Sequence, residues 1–415
     1  MKRILFIAPH SYPIRSSESI CNSKIAFSLA NAGYKVDVFS CSNDSTYPSD
    51  VQIDRILRNS ENLTIISVKG RSMSRSMDKW QLFKLIIHHL IILCRTGYYY
   101  NGIDYPYQIV RAIRKRIKDE GRMPYDVVIT RGFHTDYVGI YMAKKYGLKW
   151  ISNWNDPFPN LKFPPPYGKG VDAKLPFYEQ TIINDIQKYS TIFTFPCERL
   201  RDYMLKCFSK IKIEDTIVIH HMAHSILSQR HTYEDNSIIR FIHSGSVSKP
   251  RDPRNFLKAL ASVAKHSKIQ IECIFLGGYD KEIESYVNEL YLSGIVHFLP
   301  SMSYSASLDY LKTADLSLVI EAICEEGIYL PTKFVDALQT NVPVFCVCPA
   351  NGTLNDYCKK YEVGYSCDNT NIDDIKNTLK QVINDKINNR IPRITIDRVN
   401  DFFEDFIVNQ YKNIL

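Results

Sequence analysis

The stretch Gly327–Val347, GIYLPTKFVDALQTNVPVFCV, decides how the chain is read. Pro331 cannot lie inside a helix, so the backbone turns there. Thr332 stands where it can cap a helix through Lys333, Phe334, Val335, Asp336, Ala337 and Leu338, with Phe334, Val335 and Leu338 on its apolar side. Asn341 suits a left-handed stop, Pro343 forbids further helix, and Val344 to Val347 reads as a short buried strand. The result is a turn, a helix of about two to three turns and a parallel-type strand. The helix N-terminus offers free backbone N–H groups beside Lys333, which suits a phosphate. Asp336, one turn further on, can accept hydrogen bonds from ribose hydroxyls. The plainer alternative has Asp336 complementing the helix dipole and Lys333 solvated.

The order Leu330-Pro331-Thr332-Lys333-Phe334-Val335-Asp336, followed by Val342-Pro343-Val344, is similar to the donor-site segment of retaining group 1 (family four) glycosyltransferases. That segment commonly reads Pro-x-Lys-x-x-Glu, followed by Gly-x-Pro-Val. Lys333 falls on its lysine and Asp336 on its second acid. The acid here is Asp, and Asn341 stands where glycine is usual. The position of the family's earlier acid is Ile328, and Glu325 and Glu326 just upstream are the candidates for its role.

The second match runs from Ile239. A strand Ile239–His243 leads into Ser244-Gly245-Ser246 and then Arg251, ahead of a helix Arg254–His266. The family places a glycine after this strand and a basic residue six positions later, and Gly245 and Arg251 fill those places. A small residue lets the backbone approach a diphosphate, and a guanidinium binds it bidentately. Ser246 replaces a further arginine common in the family, so more of the charge falls to Arg251 and Lys333. Gly277, after the strand Glu272–Leu276, is assigned to the nucleotide-side wall, and Ser301 and Met302 to the neighbourhood of the base.

Upstream, a strand Arg3–Ala8, a helix from about Ser19 to Ala32 and a strand Val36–Ser40 open a doubly wound α/β domain. Ser16-Ser17 stand where the family has a Gly-Gly loop near the donor. Strand Asp126–Thr130 ends in Arg131-Gly132-Phe133-His134, and strand Lys149–Asn153 leads to Asp156. Residues at the carboxyl ends of parallel strands line the ligand crevice, which makes Arg131, His134 and Asp156 candidates. Many family members carry histidine at the position of Arg131; His134 is either its substitute or an ordinary loop histidine.

The 415 residues suffice for two domains with separate cores. The 11 cysteines lack paired spacing, and the histidines at 220, 221, 224 and 231 lack acidic or cysteine partners in register, so metal is not expected. Reduced thiols suit a cytoplasmic protein, and the N-terminal apolar run is too short for a signal peptide. Residues 1–230 carry 33 Lys and Arg against 20 Asp and Glu, a balance of +13; the remainder carries 19 against 24, a balance of −5. Such asymmetry suggests an anionic partner for the first half. No zinc finger, aromatic RNA-binding signature or basic arm points to nucleic acid. The apolar run from Trp80 to Arg95, interrupted by Lys84, His88 and His89, is shorter than the roughly 20 residues that span a bilayer. It reads either as a domain helix packed on the sheet or as a helix lying in a membrane interface, flanked by Arg71, Arg75, Lys79 and Arg95 and inserting Leu82, Ile86 or Leu93.

The resemblance implies the α/β fold called GT-B: two Rossmann-like domains facing each other across a cleft. Residues 1–230 form the acceptor-side domain, 238–395 the nucleotide-sugar-binding domain, and 396–415 a helix returning to the first domain. It implies a retaining glycosyltransferase using a nucleotide-diphosphate sugar and a glycan or polyprenyl-linked acceptor, in surface polysaccharide synthesis. The catalytic candidates are Arg131, His134, Glu325 and Glu326. No cofactor or obligatory metal is expected, since protein cations can neutralise the leaving diphosphate. An anionic membrane surface on the inner face of the cytoplasmic membrane is a candidate partner. The alternatives are a non-catalytic nucleotide-sugar-binding subunit and a GT-B sugar-nucleotide epimerase.

Overall fold

The computed structural model describes every residue except 12–15, 42–49, 71–77, 100–103, 133–134, 225–236 and 248. The first half contains seven strands: β1 (Arg3–Ile7), β2 (Lys35–Cys41), β3 (Leu63–Val68), β4 (Val127–Arg131), β5 (Lys149–Asn153), β6 (Ile192–Phe195) and β7 (Thr216–Val218). They form one parallel sheet in the order β3-β2-β1-β4-β5-β6-β7. The second half adds β8 (Ile238–Ser244), β9 (Gln270–Leu276), β10 (Val296–Leu299), β11 (Leu316–Ile320), β12 (Val344–Cys348) and β13 (Gly364–Asp368), in the parallel order β10-β9-β8-β11-β12-β13. Central strands such as Arg3–Ile7 and Leu316–Ile320 are apolar nearly throughout because helices cover both faces of a parallel sheet. Ile4 pairs with Val36 on one side and Val127 on the other, so the first sheet reverses its order beside β1. The second reverses beside β8, which pairs with β9 and β11. The carboxyl ends of these strands are the switch points at which such sheets bind ligands.

One apolar core spans both halves: Cys197, Leu200 and Tyr203 share it with Ile328, Leu330 and Phe334. The final helix, Glu404–Ile414, returns to the first sheet and packs Ile407, Val408, Tyr411 and Ile414 with Ile4, Phe6, Ile25 and Leu29. Polar ties reinforce the junction. Arg199 donates to Asp356 Oδ2 at 2.6 Å and Glu326 Oε1 at 3.1 Å. Asp50, which caps its own helix by accepting from Ile53 N, also accepts from the backbone N–H and hydroxyl of Ser305, both at 2.8 Å.

Several local details differ from the sequence reading. Pro331, not Thr332, is the cap position of the helix Thr332–Gln339, since proline's fixed φ of −65° suits the residue that enters a helix. Asn341 does adopt the left-handed conformation, φ 56°. The sequence also reads as a last strand of the first domain from Ile217 to His220; the strand observed is Thr216–Val218, which leaves His220 and His221 in the following segment. His220 stacks on Phe402 at 4.5 Å and donates through Nδ1 to Pro196 O.

The apolar run forms the helix Lys79–Thr96, started by Asp78, whose Oδ1 accepts from Trp80 N and Gln81 N, and ended by left-handed Gly97. It buries only Leu85, His89 and Ile92. Trp80 (62% exposed), Phe83, Ile86, Ile87, Leu90 and Ile91 face outward. Leu82 and Leu93, expected among the inserting residues, are half-buried because they flank the packed side of the helix. Arg71 and Arg75 lie outside the described residues. Among the described residues no helix is long and apolar enough to cross a membrane.

Candidate active site

The switch points of the two sheets enclose a cavity of about 470 Å³. From the first domain, the helix Ser17–Asn31 points its N-terminus at it; Ser16 and Ser19 cap that end reciprocally through hydroxyl and amide. Ser16, Ser17, Cys21 and Lys24 line this side, with Asp50 and Tyr167. From the second domain come Gly245 and Ser246 after β8, Arg251, Gly277 after β9, Ser301 to Tyr304, and Thr332, Lys333 and Asp336.

Gly245 adopts φ 125°, and a Cβ there would meet Lys333 Nζ and Cε at 2.8 Å. Only glycine gives both that backbone and room for the lysine to lie across it. Lys333, in the first turn of its helix, therefore places its ammonium beside a bare stretch of backbone. Its pKa is lowered by burial and by the Arg251 guanidinium, against the pull of Glu321 and Asp336. Two cations and a helix N-terminus thus share one wall.

Asp336 sits on the same helix and is held from across the junction. Tyr304 Oη donates to Asp336 Oδ1 at 2.5 Å, and Lys24 Nζ lies 3.7 Å from the same oxygen. Lys24 is buried and donates to Gln339 Oε1, Tyr304 Oη and Met222 O. Burial raises the Asp336 pKa, while Lys24, Tyr304 and Lys333 oppose the rise. One carboxylate oxygen is thereby engaged, and the side chain still lines the cavity.

The cavity brings together Ser16, Ser17, Gly245, Ser246, Arg251, Gly277, Ser301, Met302, Thr332, Lys333 and Asp336. Leu330 is instead buried in the core, and Pro331 serves the turn. Arg131 is a correction to the strand-end argument. Its side chain is 1% exposed and turns behind the first helix, donating to Asn22 Oδ1 at 2.5 Å and Tyr411 Oη at 3.0 Å. It fixes the returning helix rather than facing the cavity. Glu326 is taken by Arg199, and Glu325 is exposed, so neither lines the cavity. Asp156 lines a separate small recess with Glu18, Gly132 and Asp136. Burial there pushes the Asp156 carboxyl up to about 6, with Glu18 adding to the rise, and pushes Glu18 and Asp136 to about 7. His134 lies outside the described residues. Among the described residues no group of three or more His, Cys, Asp or Glu could hold a metal ion.

Sequence reasoning missed Lys24, Asp50, Tyr167, Tyr304 and Glu321. Glu321 had a signal, since it directly follows β11 at the switch point of its sheet. Tyr304 had one as well, standing two residues beyond Met302 in the second domain, whereas Lys24, Asp50 and Tyr167 belong to the first domain and meet the second-domain wall only through packing of the two halves.

This is the GT-B fold of glycosyltransferases. Sucrose-phosphate synthase from Thermosynechococcus elongatus superposes with a TM-score of 0.71 at 15% identity, covering 100% of this chain and 98% of that one. Anabaena HepE, solved with UDP, gives 0.65 at 12% identity over 100% and 99% of the two chains. TarM from S. aureus, solved as a mutant with Fondaparinux, alpha-GlcNAc-glycerol and UDP, gives 0.66 at 12% identity, again over 100% and 99%. Residues 229–395 match the model of the family Glycosyl transferases group 1. No curated protein matches the chain. The family match lies within residues 229–395, and the likeness in fold extends over the whole chain.

Proposed function

We propose that the protein transfers a sugar from a nucleoside-diphosphate sugar, with retention at the anomeric carbon, to a glycan or polyprenyl-linked acceptor in surface polysaccharide synthesis. The observation that supports this best is the convergence of Gly245, Arg251, Lys333 and Asp336 on one cavity at the switch points of both sheets. Arg251 and Lys333 neutralise the diphosphate as it leaves, doing the work a metal does elsewhere. Asp336 receives the ribose hydroxyls, and Ser301 and Met302 border the base. Among the described residues no side chain is poised as a nucleophile, and retention proceeds by attack on the face from which the diphosphate departs. HepE has also been solved with UDP-glucose, so a UDP-hexose is the first donor to try.

The acceptor is read from the first domain's surface. Six large apolar side chains of the helix Lys79–Thr96 face outward, and Phe177, 82% exposed, joins them through the ring contacts His89–Tyr99, Tyr99–Tyr178 and Phe177–Tyr178. Arg95 bonds to Tyr107 of the neighbouring helix Tyr105–Glu120, whose Arg111, Arg114, Lys115 and Lys118 are exposed. An apolar stripe beside basic residues suits the surface of an anionic leaflet, the inner face of the cytoplasmic membrane, where a lipid-linked acceptor is presented.

One observation favours a second reading, a non-catalytic donor-binding subunit: Arg131, Glu325 and Glu326 all lie away from the cavity. Transfer assays with UDP-glucose, UDP-galactose and UDP-N-acetylglucosamine, with and without a membrane extract, separate the two. The expected result is acceptor-dependent release of UDP that withstands EDTA and gives an α-linked product. UDP binding with no turnover of any donor in the panel would favour the binding subunit.

A further inference from the structure

Glu321 directly follows β11, where the second sheet reverses its order. The residue is 7% exposed, and its Oε1 lies 3.6 Å from Arg251 Nε. Among the described residues that oxygen accepts no hydrogen bond. The backbone is pinned: Glu321 N donates to Val347 O at 3.0 Å, and Glu321 O accepts from Asn369 Nδ2 at 3.1 Å. The carboxylate therefore cannot move far from the two cations.

A buried carboxylate oxygen that accepts no hydrogen bond is costly unless a cation faces it. The charged groups facing Glu321 are Arg251 and Lys333 from its own domain and Asp156 from the first. Tyr167, Tyr329, Cys324 and Cys348 complete its titratable surroundings, and burial keeps all four neutral. Its counter-charges are thus the cations assigned above to the donor diphosphate. Those cations cannot serve both anions at full strength.

Resting on that donor-site reading, we propose that Glu321 is a positioning residue, the resident counter-ion of the diphosphate cradle: it holds Arg251 and Lys333 in place and yields both to the phosphates when nucleotide binds. The carboxylate then stays buried beside added negative charge and Asp156, and it takes up a proton from solvent. Burial already raises its pKa and the two cations restrain the rise, so losing them pushes it further in the same direction. When the nucleoside diphosphate leaves, the proton returns to solvent and the carboxylate recovers its cations. The cradle consequently holds its diphosphate product less tightly than two unopposed cations would.

Calorimetry of UDP binding, run in two buffers of different protonation enthalpy and with pyrophosphate as a second ligand, tests this role. Wild-type protein should take up more protons per UDP than Glu321→Gln. The variant, with its fold checked by thermal melting, should bind UDP about tenfold tighter at pH 8, the equivalent of one unit of linkage. A purely structural glutamate predicts the opposite sign. Equal proton uptake in the two proteins, or UDP affinity in the variant equal to or below wild type, overturns the role and leaves the donor site standing. Wild-type protein that binds neither UDP nor pyrophosphate overturns the donor-site reading and this role together. The wild-type proton count needs no variant, so the test survives a substitution that fails to fold: uptake no greater than UDP's own titration supplies overturns the role as well.

Discussion

Lys24 of the first domain lies 3.7 Å from Asp336 of the second, and its ammonium makes three further contacts, to Gln339, Tyr304 and Met222. The carboxylate proposed for the ribose is thus conditioned by a cation from across the cleft. Lys24→Gln should weaken UDP binding by about 1–3 kcal/mol, the value of a buried charge-assisted contact, and barely change pyrophosphate binding. Calorimetry reads both, and an unchanged UDP affinity would show that Asp336 works without the lysine.

Arg251→Ala and Lys333→Ala should each weaken UDP and pyrophosphate alike, by about 1.5–3 kcal/mol for a lost charge-assisted hydrogen bond. Arg251→Ala also removes the guanidinium that faces the buried Glu321 carboxylate, so its melting temperature should fall, and its affinities are compared at a temperature where the variant is folded. Unchanged diphosphate affinity in both variants would mean that the donor site lies elsewhere.

Asp336→Asn separates ribose from phosphate. Its expected effect is weaker binding of UDP with intact binding of pyrophosphate. Equal losses for the two ligands would instead point to a defect in the helix Thr332–Gln339.

Asp136 gives a pH test of stability. Burial raises its carboxyl to about 7, against the ordinary 3.8. A raised folded-state pKa means that the group's stability contribution is full below about 4 and is lost as pH climbs through 7. Asp136→Asn removes that loss, so it should be more stable than wild type at pH 8, by on the order of 2 kcal/mol, with the advantage gone at pH 4. Urea unfolding at the two pH values checks the sign; a variant less stable at pH 8 than at pH 4, relative to wild type, would contradict it.

The outward face of Lys79–Thr96 predicts association with anionic vesicles at low salt and poor binding to neutral ones. Ile87→Glu with Leu90→Glu should release the protein, since each side chain contributes about 1 kcal/mol or more when it enters the interface. Co-sedimentation measures this. A wild-type protein that stays in the supernatant would leave a soluble acceptor as the better reading.

The architecture was legible because buried parallel strands read as apolar runs and turns announce themselves through Pro and Gly. Lys333 and Asp336 could be paired because one short helix carries both, and Gly245 because a strand end fixes its place. Lys24 could not be found that way: it meets Gln339 across 315 residues of chain, and its partners lie on both sides of the junction. Arg131 shows the limit of reasoning from strand ends. Position along β4 says where the residue stands, but Asn22 and Tyr411 decide which way its side chain turns. The helix Lys79–Thr96 could be recognised as amphipathic without its face being known, because apolar residues occupy more than one side.

Asp50 joins the two halves in a way that makes their separation visible. Its carboxylate caps its own helix and, at the same time, holds the N–H of Ser305 at the start of the helix Tyr304–Leu311. Parting the domains strips that amide of its acceptor and leaves it to water. Ser305 is therefore a natural clock: the rate at which its amide hydrogen exchanges with deuterium counts how often the cleft opens, with no probe attached to the protein.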